Sequence, residues 1–390
     1  MSRNIVVIPD SFKGSASSTE LCEWIKGALL ENLPGSNVHA MPVADGGEGT
    51  VDAFAKAAVG WEGATVKRQT ALVCGRLPGE RVLAEFAIIE RGGKKHAIIE
   101  TASCAGLASG YSPLYTTTYG IGEQNREAIK HGCTQITVGL GGSCTNDGGT
   151  GLAAALGVRF YDKSGCEFVP VGSTLSEISD IDVSAARELL SGVRLSAMCD
   201  VDNPTVGERG AAYVFAPQKG ARQDELPLLD AGLRDLCDVI SRRLGIDVSD
   251  LPGGGAAGGM GAGMHALLGA ELRPGIDTLL DVVCFDELLC GVDFAITGEG
   301  KLDKQSLSGK AAIGVARRCK AHGVPVIILA GGVELDEEGL LSVYSEGVTA
   351  IFAINRLPEP FETARLRVRE NVTQTVGDIA RLIAALCNKK

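Results

Sequence analysis

The chain has 390 residues, 45% hydrophobic and 22% charged, a balance that supports a large folded core and excludes a disordered or low-complexity chain. Its 48 acidic and 37 basic side chains leave a net charge of −11, which argues against a nucleic-acid partner, since phosphate contacts need clustered Lys and Arg. No apolar run has the length of a membrane span and the N-terminus has no signal-peptide core, so a cytoplasmic protein, monomer or homodimer, is expected. The twelve cysteines form no Cys-x-x-Cys pair and read as free thiols in a reducing compartment.

In chain order, Ile5-Val6-Val7-Ile8 reads as a central strand that exits into Pro9-Asp10-Ser11-Phe12-Lys13-Gly14-Ser15. A helix follows, opened by the capping-box pattern Ser17-Ser18-Thr19-Glu20, with Leu21, Trp24, Ile25, Ala28, Leu29 and Leu33 at helical spacing and Pro34-Gly35 to stop it. Residues 38–43 read as a second strand, leaving through Ala44-Asp45-Gly46-Gly47-Glu48-Gly49-Thr50 into a helix over 51–58. This βαβα unit puts both polar loops at the carboxyl edge of a parallel sheet. From residue 64 the texture changes to alternation, with Val82, Ala84, Phe86 and Ile88 on one face, and predicts antiparallel strands. A helix over 122–131 leads to the strand Ile136-Thr137-Val138, the loop 139–151 and a further helix.

Later, the strand 195–199 exits into Asp200-Val201-Asp202-Asn203-Pro204, and a long helix spans 226–244. The glycine run at 253–261 formally contains Gly-x-Gly-x-x-Gly but follows Leu251-Pro252 and no strand, so a dinucleotide fingerprint is rejected. Parallel texture returns after Gly291. Residues 293–297 exit into Gly298-Glu299-Gly300-Lys301-Leu302-Asp303, Ser308-Gly309-Lys310 opens a helix to Ala321, and strands follow at 324–330 and 350–354. The economical fold is an α/β protein of two domains. A five-stranded parallel sheet from both chain ends (1–60 plus 290–390) carries an inserted mixed α/β domain (61–289), with the active site in the cleft between them.

The loops repeat Asp or Glu, an occasional Lys, Ser or Thr, and Gly, while the five histidines stand elsewhere. That set suits phosphoryl transfer, in which carboxylates hold Mg²⁺ and lysines and loop N–H groups neutralise phosphate. Walker and protein-kinase signatures are absent.

Asp10-Ser11-Phe12-Lys13-Gly14-Ser15, Ala44-Asp45-Gly46-Gly47-Glu48-Gly49-Thr50, Gly141-Gly142-Ser143, Thr145-Asn146-Asp147-Gly148-Gly149, Cys199-Asp200-Val201-Asp202-Asn203-Pro204, Gln218-Lys219-Gly220-Ala221, Ala256-Ala257-Gly258-Gly259 and Thr297-Gly298-Glu299-Gly300-Lys301-Leu302-Asp303 together resemble the type-1 glycerate kinase family, in order and over nearly the whole chain. Cys144 and Gly254 stand where that family has Ala, and Ser306 where it has Thr, none of which removes a charge. The resemblance implies ATP-dependent phosphorylation of D-glycerate, mainly to 2-phosphoglycerate, with Mg²⁺. It also implies a flavodoxin-like domain built from both termini with a second domain inserted. A kinase or ATP-dependent ligase acting on another small hydroxy acid is the alternative.

In this frame Lys13, beside Gly14, and Lys310 contact phosphate or the glycerate carboxylate, and Glu299 and Asp303 hold the metal from one tight glycine loop. Asp303 reads equally as an N-cap. Asp45, Asp147 and Asp200 compete to orient the substrate hydroxyl. Asp10, Glu48, Gly141, Gly142, Ser143, Asn146 and Asn203 line the substrate and phosphate, although turn geometry accounts for both asparagines as well.

Overall fold

A computed structural model of the chain describes residues 2–44, 46–58, 63–304, 306–308 and 311–387. It divides into two compact units, Met1–Ala44 with Ile276–Lys390, and Asp45–Gly275. The strands are, in order, β1 (Asn4–Pro9), β2 (Asn37–Ala40), β3 (Ala64–Cys74), β4 (Arg81–Arg91), β5 (Lys94–Glu100), β6 (Gln135–Gly139), β7 (Arg159–Tyr161), β8 (Glu167–Phe168), β9 (Asp180–Asp182), β10 (Arg194–Met198), β11 (Glu271–Arg273), β12 (Phe294–Leu302), β13 (Val326–Val333) and β14 (Val348–Ala353).

The first unit is a five-stranded sheet in the order β14-β13-β12-β1-β2, parallel throughout. Numbered within the unit this is 2-1-3-4-5, the flavodoxin-like order. Both faces of such a sheet are covered, so its strands are continuous apolar runs, and Ile5, Val6, Val7 and Ile8 are all fully buried. The helix Ser18–Asn32 begins as its residues dictate: the Ser17 hydroxyl accepts from the Glu20 N–H and the Glu20 carboxylate accepts from the Ser17 N–H. Such a cap is worth about 1 kcal/mol. Leu21, Ile25, Ala28 and Leu29 pack on β1 and on the C-terminal helix Val368–Cys387 through Val372, Val376 and Ile379.

Two sequence expectations change here. The second strand ends at Ala40, because Pro42 has no N–H to extend the ladder. The predicted loop at 298–303 is strand instead: β12 runs through Leu302, with Glu299 paired beside Ala330. Gly298 and Gly300 serve close packing, not a turn, since a Cβ on Gly298 would stand 2.6 Å from the Leu329 carbonyl oxygen.

The second unit holds a six-stranded sheet, β11-β10-β6-β5-β4-β3, in which β11, β10, β6 and β5 are parallel and β4 and β3 antiparallel, with a small β8-β7-β9 sheet. The helix Thr50–Ala58 packs on β3, β4 and β5, so the change of unit falls after Ala44, one helix before the change of texture seen in the sequence. The glycine run follows no strand. It opens the helix Ala256–Leu268 with a left-handed kink at Ala257, Gly258 and Gly259.

Candidate active site

In the first unit the strand order reverses between β1 and β12, and open α/β sheets take ligands outside the carboxyl ends of the strands at such a point. A cavity of about 480 Å³ opens there, with Asp10, Lys13, Glu299, Asp303 and Asn355 in its wall. Asp10 is set by β1: its N–H donates to the Gly298 carbonyl at 2.8 Å, and its Oδ1 accepts from the Ser11 N–H at 2.6 Å. Glu299 is 5% exposed, a carboxylate brought into the sheet interior by its place in β12. Lys13 is exposed, with Gly14 next to it in the turn. Asp303 Oδ1 accepts from the Ser306 N–H at 3.3 Å, so it caps the short 3₁₀ turn Ser306–Ser308 as well as facing the cavity. Lys310 lies outside the described residues.

Among the described residues no three or more His, Cys, Asp or Glu side chains group into a metal-binding cluster. A buried Glu299 with Asp303 fits an ion that takes one or two carboxylates and completes its shell with water and phosphate oxygens, as Mg²⁺ does.

In the second unit, loops from distant parts of the chain meet at the carboxyl edge of β5, β6 and β10. The Gly141 N–H donates to the Gly46 carbonyl (2.9 Å), and the Gly148 N–H to the Gly258 carbonyl (3.0 Å). A Cβ on Gly258 would sit 2.0 Å from the Thr145 carbonyl oxygen, which explains the kink in the glycine run: it seats the loop 139–151. Gly142 is exposed, Gly141 half-buried and Ser143 buried. Glu48 is exposed on the 46–50 segment, and Asp45 lies outside the described residues.

Asp147, expected from the sequence to compete for the substrate hydroxyl, has both carboxylate oxygens bonded within the protein. It is fully buried; Oδ2 accepts from the Thr118 N–H (2.8 Å), the Thr118 hydroxyl (2.8 Å) and the Gly151 N–H (3.4 Å), and Oδ1 from the Gly149 N–H (3.1 Å). Burial raises its pKa, with these four donors opposing. Its oxygens are spent on anchoring the loop. Asn203 also has a turn role, its amide donating to the Arg209 carbonyl at 2.8 Å. Asp200 stands exposed just past β10 and accepts from the Gly275 N–H at 2.7 Å. Asn146 is completely buried, and among the described residues neither its amide nitrogen nor its oxygen has a hydrogen-bond partner, a costly state for an interior amide.

The residue that sequence reasoning left without a role is Lys219. It is 4% exposed, and its Nζ donates to Ser143 Oγ (2.9 Å) and to the Thr145 carbonyl (2.8 Å), straight into the loop. Burial pulls it down to about 8. The one available signal was its place in Gln218-Lys219-Gly220-Ala221; nothing local distinguishes a lysine before glycine from a helix end. The histidines stay out of these clusters: His96, lowered to about 4 by burial, bonds Thr137 Oγ1 at 2.8 Å across β5 and β6.

A family profile described as the glycerate kinase family matches residues 5–384. The chain belongs to the glycerate kinase family. The glycerate kinase of Bacillus subtilis (strain 168) is 41% identical over 383 residues, covering 97% of both chains, and the glycerate 2-kinase of Escherichia coli (strain K12) is 40% identical over 97% of this chain and 98% of that one. A crystal structure of a candidate glycerate kinase 2 from Salmonella typhimurium LT2 superposes with a TM-score of 0.81 at 37% identity, with full coverage of both chains. As a member of this family the protein is a kinase, a phosphotransferase with an alcohol acceptor. The histidine-free clusters of acids, amines and backbone donors agree with that chemistry. No helix among the described residues is long and apolar enough to cross a membrane.

Proposed function

We propose that this family member transfers the γ-phosphoryl group of ATP to a hydroxyl of D-glycerate, with Mg²⁺ as the metal and 2-phosphoglycerate as the main product. The observation that carries the reading is the first-unit cavity at the β1/β12 edge, where a buried Glu299 lies with Asp10, Asp303 and Lys13. Phosphoryl transfer asks little covalent chemistry of the protein; it needs the phosphates held in line and their charge offset. Glu299 and Asp303 are the residues that would hold Mg²⁺, which when bound offsets charge on the phosphate oxygens. Lys13, exposed at the rim, reaches phosphate oxygens from the turn after β1.

In the second unit, Gly142, Ser143 and Asn146 supply donors for the acid, while the Gly141 N–H, spent on the Gly46 carbonyl, holds the loop that presents them. With Asp147 spent on the loop, Asp45 and Asp200 are the carboxylates left to orient the substrate hydroxyl. The name of the E. coli relative, glycerate 2-kinase, supports the 2-position. The free thiols of Cys74, Cys104, Cys133, Cys144 and Cys237, all buried, suit a reducing cytoplasm.

Phosphorus NMR of a reaction containing D-glycerate, ATP and Mg²⁺ tests activity and regiochemistry together. A 2-phosphoglycerate resonance growing with ADP is expected. A 3-phosphoglycerate resonance would overturn the assigned position, and ADP release with another hydroxy acid but not with glycerate would overturn the substrate.

A further inference from the structure

Two cations flank the Ser143–Cys144 turn, and neither has a carboxylate within ion-pair distance among the described residues. Lys219 is one. An ammonium buried without a counter-charge is among the most expensive arrangements an interior can hold. Its two hydrogen bonds among the described residues, to Ser143 Oγ and the Thr145 carbonyl, go to neutral acceptors and leave one N–H unspent there. Because a protonated lysine can only donate, Ser143 Oγ is its acceptor, and the serine's own proton is free to be offered elsewhere.

Arg76 is the other. Its Nε donates to the Gly106 carbonyl at 2.7 Å, and its guanidinium carbon lies 5.2 Å from the centre of the Tyr111 ring. The two terminal amino groups make no hydrogen bond among the described residues. The plane is therefore fixed at its base and on one face, with its fork unused.

Several contacts bring the two to the same turn. Gly106, which holds Arg76, pairs with Ser143 in an isolated bridge, and the Leu107 N–H donates to the Gly142 carbonyl at 2.8 Å. The Thr117 N–H donates to the Arg76 carbonyl (2.9 Å), and the Thr116 hydroxyl to the Cys144 carbonyl (2.9 Å). Gly220, next to Lys219, packs on Tyr111 so closely that a Cβ would stand 2.4 Å from the Tyr111 carbonyl oxygen. Both charges also act on the Cys144 thiol, opposing the rise that burial causes. In the same loop, the Asn146 amide has, among the described residues, an unused donor and an unused acceptor.

We infer that Arg76, Lys219 and Ser143 form an oxyanion subsite and that its occupant is the carboxylate of the acid substrate. The inference rests on the proposed glycerate kinase activity and assigns this turn to the acceptor. A polyphosphate arrives with a divalent ion, which wants carboxylates. Here the near carboxylate, Asp147, is already bonded on both oxygens, so the turn offers cations and hydroxyl donors but no place for a metal. A metal-free anion fits that set, and a fixed guanidinium fork matches the two oxygens of a carboxylate. The hydroxyl of the same acid would meet Asn146.

The test is steady-state kinetics and calorimetry on the full-length chain and its Arg76→Gln and Arg76→Lys variants, chosen because Arg76 is half-exposed and its replacement leaves the core intact. KM for D-glycerate should rise roughly 10- to 100-fold in Arg76→Gln, the effect of losing a charge-assisted pair, with Arg76→Lys between it and the wild type and KM for ATP within about twofold. D-Glycerate titrated without nucleotide should bind the wild type and lose that binding in Arg76→Gln. A rise in KM for ATP with KM for glycerate unchanged would give the site to a phosphoryl group and overturn the inference, as would equal glycerate binding by both proteins or none by the wild type. Wild-type turnover of glycerate is read in the same experiment, so failure of the proposed reaction is seen separately from failure of the subsite.

Discussion

Lys219 carries a charge into the interior and pays out hydrogen bonds to Ser143 and Thr145, and the consequence is a pH dependence with a definite sign. Its pKa in the folded chain, about 8, lies below the 10.5 of the exposed group. Between those values the unfolded chain holds a proton that the folded chain has released. Stability is therefore undiminished above the higher value and penalised as pH falls towards 8, by about 3 kcal/mol at neutrality. Cys144 and Asp147 are the titratable groups that face the ammonium, so the comparison is best made in a Cys144→Ala background. There, Lys219→Met should lose the pH-dependent gain in urea stability between pH 7 and 10 that its parent displays; parallel curves would show that the ammonium is not desolvated. Asp147 sets the opposite kind of expectation. Since its oxygens accept four loop and helix donors, Asp147→Asn turns an NH₂ towards one of those donors and should cost about 2–4 kcal/mol in thermal unfolding. Loss of turnover with an unchanged melting temperature would instead return Asp147 to the list of substrate-facing acids.

Among the elements, the kinked start of the helix Ala256–Leu268 shows how glycines are used for packing. At Gly258 φ is +73° and a Cβ would overlap the Thr145 carbonyl, so Gly258→Ala should destabilise the chain by about 3 kcal/mol or more and raise KM for glycerate by shifting the loop. Gly269 ends the same helix at φ +69° with open space around it, so Gly269→Ala should cost about 1 kcal/mol with kinetics unchanged. Equal melting temperatures for the two would contradict the packing account. This contrast also explains what could be read from the chain alone. Local rules were sufficient for the Ser17–Glu20 cap, for the long helix Leu226–Leu244 and for the buried parallel strands, because caps and periodicity are written within a few residues of where they act. Close approach between distant segments leaves no such mark. Gly298 and Gly300 looked like turn residues and are strand residues pressed against β13 and the Phe12 turn, and Arg76 and Lys219 carry no local cue to the serine turn between them.

For the molecule as a whole, each unit has its own apolar core, one built on Ile5, Val7, Ile25 and Val376 and another on Phe86, Ile99, Val138 and Met260. The candidate groups divide with the cores: Asp10, Glu299 and Asp303 in the first unit, the 139–151 loop with Lys219 in the second. Of the two tryptophans, Trp24 packs against the first core and Trp61 lies outside the described residues, so a Trp61→Phe variant leaves one fluorophore that reports on the first unit. If the cavity at the β1/β12 edge takes the nucleotide, ATP with Mg²⁺ at about 100 times its dissociation constant should move the Trp24 unfolding transition by about 2.7 kcal/mol. Adding Glu299→Gln keeps the size of the buried side chain but removes the charge offered to the metal, and should abolish most of that shift while the ligand-free transition stays cooperative. Should calorimetry record ATP·Mg²⁺ binding while the Trp24 transition stays where it was, the nucleotide would have to be sought away from Glu299, and the metal-binding role of the cavity would go with it.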